Sequence, residues 1–176
     1  MKNASLLSVA VLLMLVAAPV LHAHCEVPCG IYDDRARTEL MAEHIRTIEK
    51  SMNQIKELRA EEDKNYNQLV RWVNNKEEHA EKLQHIAWQY FMTQRIKPAE
   101  GSGAKAKKYV HEVTLLHQIL VQAMKTKQTT DLAHVENLRS LLDQFEASYF
   151  GEKPKPPEKK HRHEGSGTRH EGSHPR

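Results

Sequence analysis

The sequence predicts an all-α protein, an antiparallel four-helix bundle. Three observations carry that expectation. Apolar residues recur at steps of three and four along four long stretches, the period of one helical face. Residues 34–97 contain neither Gly nor Pro, and both reappear where the stretches end, at Pro98, Gly101, Gly103 and Gly151. Aromatic residues make up 6% and charged residues 28% of the chain, and no alternating strand pattern or internal repeat competes.

The first helix is expected over about residues 33–60. Asp33 or Asp34 can accept from its free N–H groups, and Met41, Ile45, Ile48, Met52 and Ile55 form its apolar face. The second is expected over about residues 63–97 and ends at Pro98. Its face is Tyr66, Leu69, Val73, Ala80, Leu83, Ala87 and Tyr90, interrupted by Lys76. Glu100 to Gly103 supply a flexible connection. A third helix fits about residues 104–127, with Tyr109, Val113, Leu116 and Leu120 aligned. The fourth fits about residues 131–150, capped by Thr130, with the stripe Val135, Leu138, Leu142, Phe145 and Tyr149 and with Gly151 to end it. Short connections make successive helices antiparallel neighbours.

Residues 1–23 read as a secretory signal peptide. Lys2 precedes an apolar run from Leu6 to Val16, and Leu21-His22-Ala23 offers a small residue at the cleavage position. The run is shorter than the roughly 20 residues a spanning helix needs, and Pro19 interrupts it, so no stable membrane insertion is expected after cleavage. No twin arginine is present, so export of the unfolded chain to the periplasm or the medium is expected. Removing 23 of 176 residues leaves 153, enough for one domain. The expected order is signal peptide 1–23, hook 24–33, bundle 34–151 and a disordered tail 152–176. The tail is rich in Lys, Pro and Gly, holds His161, His163, His170 and His174, and carries a net charge of +3. Weak nickel capture, attachment to an anionic surface and simple solubilisation all remain open for it. The residues between hook and tail are near neutral, and nothing in them calls for nucleic acid.

The stretch His24-Cys25-Glu26-Val27-Pro28-Cys29-Gly30-Ile31-Tyr32-Asp33 carries the chemistry. Cleavage after Ala23 would place an α-amino group, an imidazole, a backbone amide and two thiols within six residues. Nickel(II) suits square-planar nitrogen and sulfur donors. The His24 amine and Cys25 backbone nitrogen could give two nitrogens, and the Cys25 and Cys29 thiolates two sulfurs. Pro28 and Gly30 would help the loop turn back. The His24 ring could bind axially when the metal is oxidised. Thiolate and deprotonated amide stabilise a higher oxidation state and could bring a Ni(III)/Ni(II) couple into range. The cysteines alone equally admit a disulfide, the usual fate of two cysteines in an exported chain.

The stretch resembles the mature N-terminus of the nickel-containing superoxide dismutases, H-C-x-x-P-C-G-x-Y. His24, Cys25, Pro28, Cys29, Gly30 and Tyr32 match every fixed position. The resemblance continues more weakly to about residue 150 and does not reach the tail. It implies disproportionation of superoxide to O₂ and hydrogen peroxide by Ni(III)/Ni(II) cycling, one nickel per subunit, and a homohexamer of four-helix bundles. It implies His24, Cys25 and Cys29 as metal ligands. Tyr32 would order water and small oxygen ligands beside the metal, and Tyr90 in Trp88-Gln89-Tyr90-Phe91 would be a second pocket tyrosine, although its spacing from the tryptophan differs by one. Glu39, in Ala36-Arg37-Thr38-Glu39, would orient the His24 imidazole.

Two positions depart from the family pattern. Glu26 stands where Asp is usual, and His79, in Lys76-Glu77-Glu78-His79-Ala80-Glu81, stands where an arginine often supports the glutamate. Among other classes, a ferritin-like di-metal centre needs Glu-x-x-His pairs on bundle helices, and these occur only in the tail, at Glu158/His161 and Glu171/His174. A haem attachment C-x-x-C-H is absent. Two rivals remain: a non-catalytic exported nickel sensor or buffer, and a helical interaction module with a Cys25–Cys29 disulfide. The nickel-delivery partner is unknown.

Overall fold

The computed structural model of the protein describes residues 30–151. His24, Cys25, Cys29, the expected signal peptide and the tail lie outside the described residues. The chain divides at Asp34/Arg35: residues 30–34 belong to one unit, the helices from Arg35 onward to another.

Four helices and no strand make up the described residues. They are α1 (Asp34–Ala60), α2 (Tyr66–His85), which runs on into a π-helical segment (Ile86–Arg95), α3 (Ala104–Gln128) and α4 (Ala133–Phe150). Contacts between their side chains fix the arrangement. His44 and Ser51 of α1 bond to His79 and Asn75 of α2. Lys76 and Gln84 of α2 bond to carbonyls of Thr126 and Leu120 in α3. Gln122 and Glu112 of α3 meet His134 and Ser148 of α4. Glu49 of α1 meets Arg139 of α4. In the three successive pairs residue numbers rise in one helix and fall in the other, so α1–α2, α2–α3 and α3–α4 are antiparallel.

The faces of α1 and α4 are as expected. Met41, Ile45, Ile48, Met52 and Ile55 are all buried, as are Val135, Leu138, Leu142 and Phe145, with Tyr149 half-buried against them. In α3 the buried line is Leu115, Leu116, Ile119 and Ala123, one position off the expected stripe, of which Tyr109, Val113 and Leu120 only flank the core. The larger difference is in α2. Ala80, Leu83, Ala87 and Tyr90 are core, but Tyr66 and Val73 are exposed. The lengths of α3 and α4 explain this. Lys76 reaches the last turn of α3, so α2 before Lys76 has no α3 beside it.

Helix ends correct one expectation. α2 starts at Tyr66, where Asn65 caps it, its side-chain oxygen accepting from the Gln68 N–H. At α4 the cap is made by Asp131, whose carboxylate accepts from the Ala133 N–H, while the expected Thr130 plays no part and Thr129 accepts from Asp131. Gly151 ends α4 in the left-handed conformation, φ 72°, as expected.

Lys76 interrupts the apolar face of α2 for a reason. It is 3% exposed, and its Nζ donates to the Thr126 carbonyl at 2.7 Å, to the Lys127 carbonyl and to Glu77. The last carbonyls of α3 have no helical partners of their own. A lysine from the neighbouring helix satisfies two of them, with a positive charge at the negative end of the helix dipole.

Candidate metal centre

Of the expected hook, only residues 30–33 are described. Gly30 takes φ 73°, the left-handed region, with no atom within 4 Å of where a Cβ would stand. Glycine is there for backbone conformation and not for space. The expected reversal of the loop through Pro28 and Cys29 lies outside the described residues. Tyr32 is 37% exposed and Ile31 81% exposed.

α1 begins at a bundle end built from aromatic residues. Phe91, Phe145 and Tyr149 contact one another with ring centroids 4.9–5.5 Å apart. Tyr90 meets Phe91 edge-on at 5.1 Å, and Phe150 meets Tyr149 likewise. The first turn of α1 lays two arginines on this cluster: the Arg35 guanidinium lies 4.3 Å from the Phe150 ring centre, and Arg37 5.1 Å from that of Tyr90. A guanidinium on a ring face is held by the ring quadrupole while staying hydrated at its edge. All three phenylalanines of the chain sit here, which makes the end stiff.

Tyr90 owes its place to the π-helical segment. Wider turns shift every later residue around the axis relative to an α-helix. The five-residue bonding is seen in Ile96 N–H to Phe91 C=O at 2.8 Å, and in the Thr93 hydroxyl and Gln94 amide, which donate to the Trp88 and Gln89 carbonyls. Trp88 is left 46% exposed, while Tyr90 and Phe91 point into the core. The remaining oxygen of buried Gln94 has no hydrogen-bond partner.

Glu39 is exposed on α1, with no hydrogen bond or ion pair among the described residues. His79 does not stand opposite it. Its Nδ1 lies 3.0 Å from the Nδ1 of His44, five residues further along α1 than Glu39 and therefore about 7.5 Å along the axis. One ring must donate and the other accept, so the pair is comfortable only when at least one imidazole is neutral. His44 is 5% exposed; burial first, then His79 and Lys82, push its pKa down to about 4 against the pull of Glu43. His79 is also lowered, by burial and then Lys82, with Glu78 and Glu43 opposing. The spacing of the two histidines, 35 residues apart, carries no signal in the sequence that could have paired them. Among the described residues no three His, Cys, Asp or Glu gather as a ligand set, and no described helix is long and apolar enough to cross a membrane.

The described residues define a helical bundle, and the candidate nitrogen and sulfur donors precede it in the sequence. A family model described as nickel-containing superoxide dismutase matches residues 19–153. The match covers most of the 176 residues, from within the expected signal peptide to just past α4, and the chain belongs to that family. It is an oxidoreductase that disproportionates superoxide and uses nickel. Comparison with curated proteins and with solved structures returned no match.

Proposed function

We propose that the nickel of this superoxide dismutase is held by His24, Cys25 and Cys29 after cleavage behind Ala23. The observation that carries the proposal is the donor set itself: a free amine, a backbone amide and two thiolates within six residues suit square-planar nickel, and thiolates suit its oxidised form. The left-handed turn at Gly30 supports a loop that reverses immediately after Cys29. Bound there, nickel supplies the one-electron Ni(III)/Ni(II) couple. Over one cycle two superoxide ions and two protons become one O₂ and one hydrogen peroxide.

The chain's own groups have narrower tasks. The Tyr32 hydroxyl would order water or a small oxygen ligand beside the nickel. Glu39, unpaired with any described residue, is available to accept from the His24 imidazole and fix its tautomer. Tyr90, buried under Arg37, is proposed as a second wall of the pocket and not as a proton donor. Residues 1–23 act as the signal peptide, 24–33 as the hook, 34–151 as the antiparallel bundle and 152–176 as a tail, in an enzyme exported to the periplasm or the medium and assembled as a homohexamer.

Nickel titration of protein beginning at His24 tests the ligand set. Thiolate-to-nickel absorption in the near ultraviolet should grow to one equivalent and vanish in Cys25→Ser and in Cys29→Ser. One equivalent bound with that absorption intact in both variants would remove the thiolates from the site.

A further inference from the structure

His44 on α1 and His79 on α2 face each other, their Nδ1 atoms 3.0 Å apart and their rings edge to face at 71°. A hydrogen bond is one use of that separation. It is also the separation of two adjacent nitrogen ligands on one metal ion. With metal–nitrogen bonds of about 2.0–2.1 Å, nitrogens 3.0 Å apart subtend about 90–97° at the ion. A tetrahedral ion would need them about 3.3–3.4 Å apart. The spacing suits the right angle of a tetragonal ion.

The surroundings suit a cation. Ile45, Ile48, Ala80 and Leu83, neighbours of the two histidines along their helices, are core and fix both backbones. The Asn75–Ser51 bond ties the helices again about two turns on. His44 is buried and His79 half-buried, so the His79 side is the one open to water. The charged groups acting on the rings are Glu43 on α1 and Glu78 and Lys82 on α2. Lys82 is paired with Glu78 at 2.6 Å, and two carboxylates with one ammonium sum to one negative charge. Burial lowers the pKa of both histidines, so at pH 7 neither is an imidazolium that a metal would have to deprotonate. The ring that donates in the hydrogen bond moves its proton from Nδ1 to Nε2 by exchange with water, with no net release, and both Nδ1 lone pairs are then available.

We propose that His44 and His79 chelate a tetragonal divalent transition metal through their Nδ1 atoms, copper(II) most tightly, and that the ion clips α1 to α2. Copper heads the affinity order for nitrogen donors. Water completes the coordination. The site uses neither the hook nor the tail and does not depend on which residues hold nickel. Its ligands lie 35 positions apart in the chain and meet only in the folded state, so binding appears as stability.

Thermal unfolding of the full processed chain, loaded with one equivalent of nickel and followed by circular dichroism, tests the site. Copper(II) at a hundredfold excess over its dissociation constant should raise the midpoint by about 5–10 °C. The rise should vanish in His44→Gln and in His79→Gln, with their metal-free midpoints as the control for folding. Lys82→Gln, at an exposed position, removes a cation beside the pair and should tighten copper about threefold. Zinc(II), which prefers the wider tetrahedral angle, should raise the midpoint less. Removing residues 152–176 should leave the rise intact. No rise in the wild type would overturn the site. So would an equal rise in both glutamine variants, or a rise lost with the tail, since hook or tail would then hold the copper. If a glutamine variant fails to fold, Lys82→Gln decides, and unchanged copper affinity there would overturn the site. A zinc rise equal to that of copper would overturn the tetragonal assignment.

Discussion

Lys76 and Gly30 show two ways in which one residue constrains this fold. The buried Lys76 ammonium holds two carbonyls at the end of α3 and the half-exposed Glu77 carboxylate. In Lys76→Met the chain would keep its volume and lose those bonds, leaving buried acceptors without donors. Charged hydrogen bonds of this kind contribute about 1.5–3 kcal/mol each at most, and water entering at the α3 terminus recovers part of it. The expected loss is about 2–3 kcal/mol, read as a lower urea midpoint at unchanged slope. At Gly30 an added methyl meets no atom, so Gly30→Ala acts only through the left-handed backbone, with about 1–2 kcal/mol of strain. Nickel affinity should fall about tenfold, while thermal unfolding of the bundle stays where it was. An equal loss in both would mean that the turn supports the bundle and not the hook.

At the scale of helices, the buried His44–His79 contact makes the α1–α2 pairing sensitive to acid. Both imidazoles are lowered in the folded chain, so the unfolded chain binds more protons below the ordinary value of 6.5. Stability is therefore full above about pH 6.5 and declines as pH falls toward about 4, with a slope of up to about 1.4 kcal/mol per pH unit for each proton taken up. Urea midpoints at pH 7 and pH 5 should differ in wild type. The difference should shrink in His44→Gln, which can still bond His79 but does not titrate. An unchanged pH difference would assign the acid sensitivity elsewhere. The elements also show what a pattern can and cannot carry. α1 and α4 are legible because their apolar faces are opposed by other helices along nearly their whole length. α2 is half legible: the same stripe continues through Tyr66 and Val73, but burial there depends on how far α3 extends, which no residue of α2 encodes. The π-helical segment leaves no mark in the apolar spacing, because its side chains back-bond through Thr93 and Gln94, residues common in any helix.

For the molecule as a whole, the division of labour is between a bundle and a terminus. The bundle supplies a stiff aromatic end, capped by Arg35 and Arg37, where α1 begins. The proposed metal ligands His24, Cys25 and Cys29 fall within six residues, which is why the sequence alone suggests them, and they lie outside the described residues. The groups proposed to support them are less legible: Glu39 stands alone on α1, and His79, aligned by resemblance with a residue that would back it, is committed to His44. Catalysis by the family's reaction needs redox-active nickel, and the account places the first nitrogen ligand at an amine that exists only after cleavage. The direct measurement is superoxide consumption by nickel-loaded protein beginning at His24, beside the same protein carrying one extra N-terminal residue confirmed by mass. The account predicts fast turnover by the first and none by the second, with identical helicity. Full turnover by the extended protein would contradict the amine as a ligand, and no turnover by either, with nickel bound, would contradict the hook as the catalytic site.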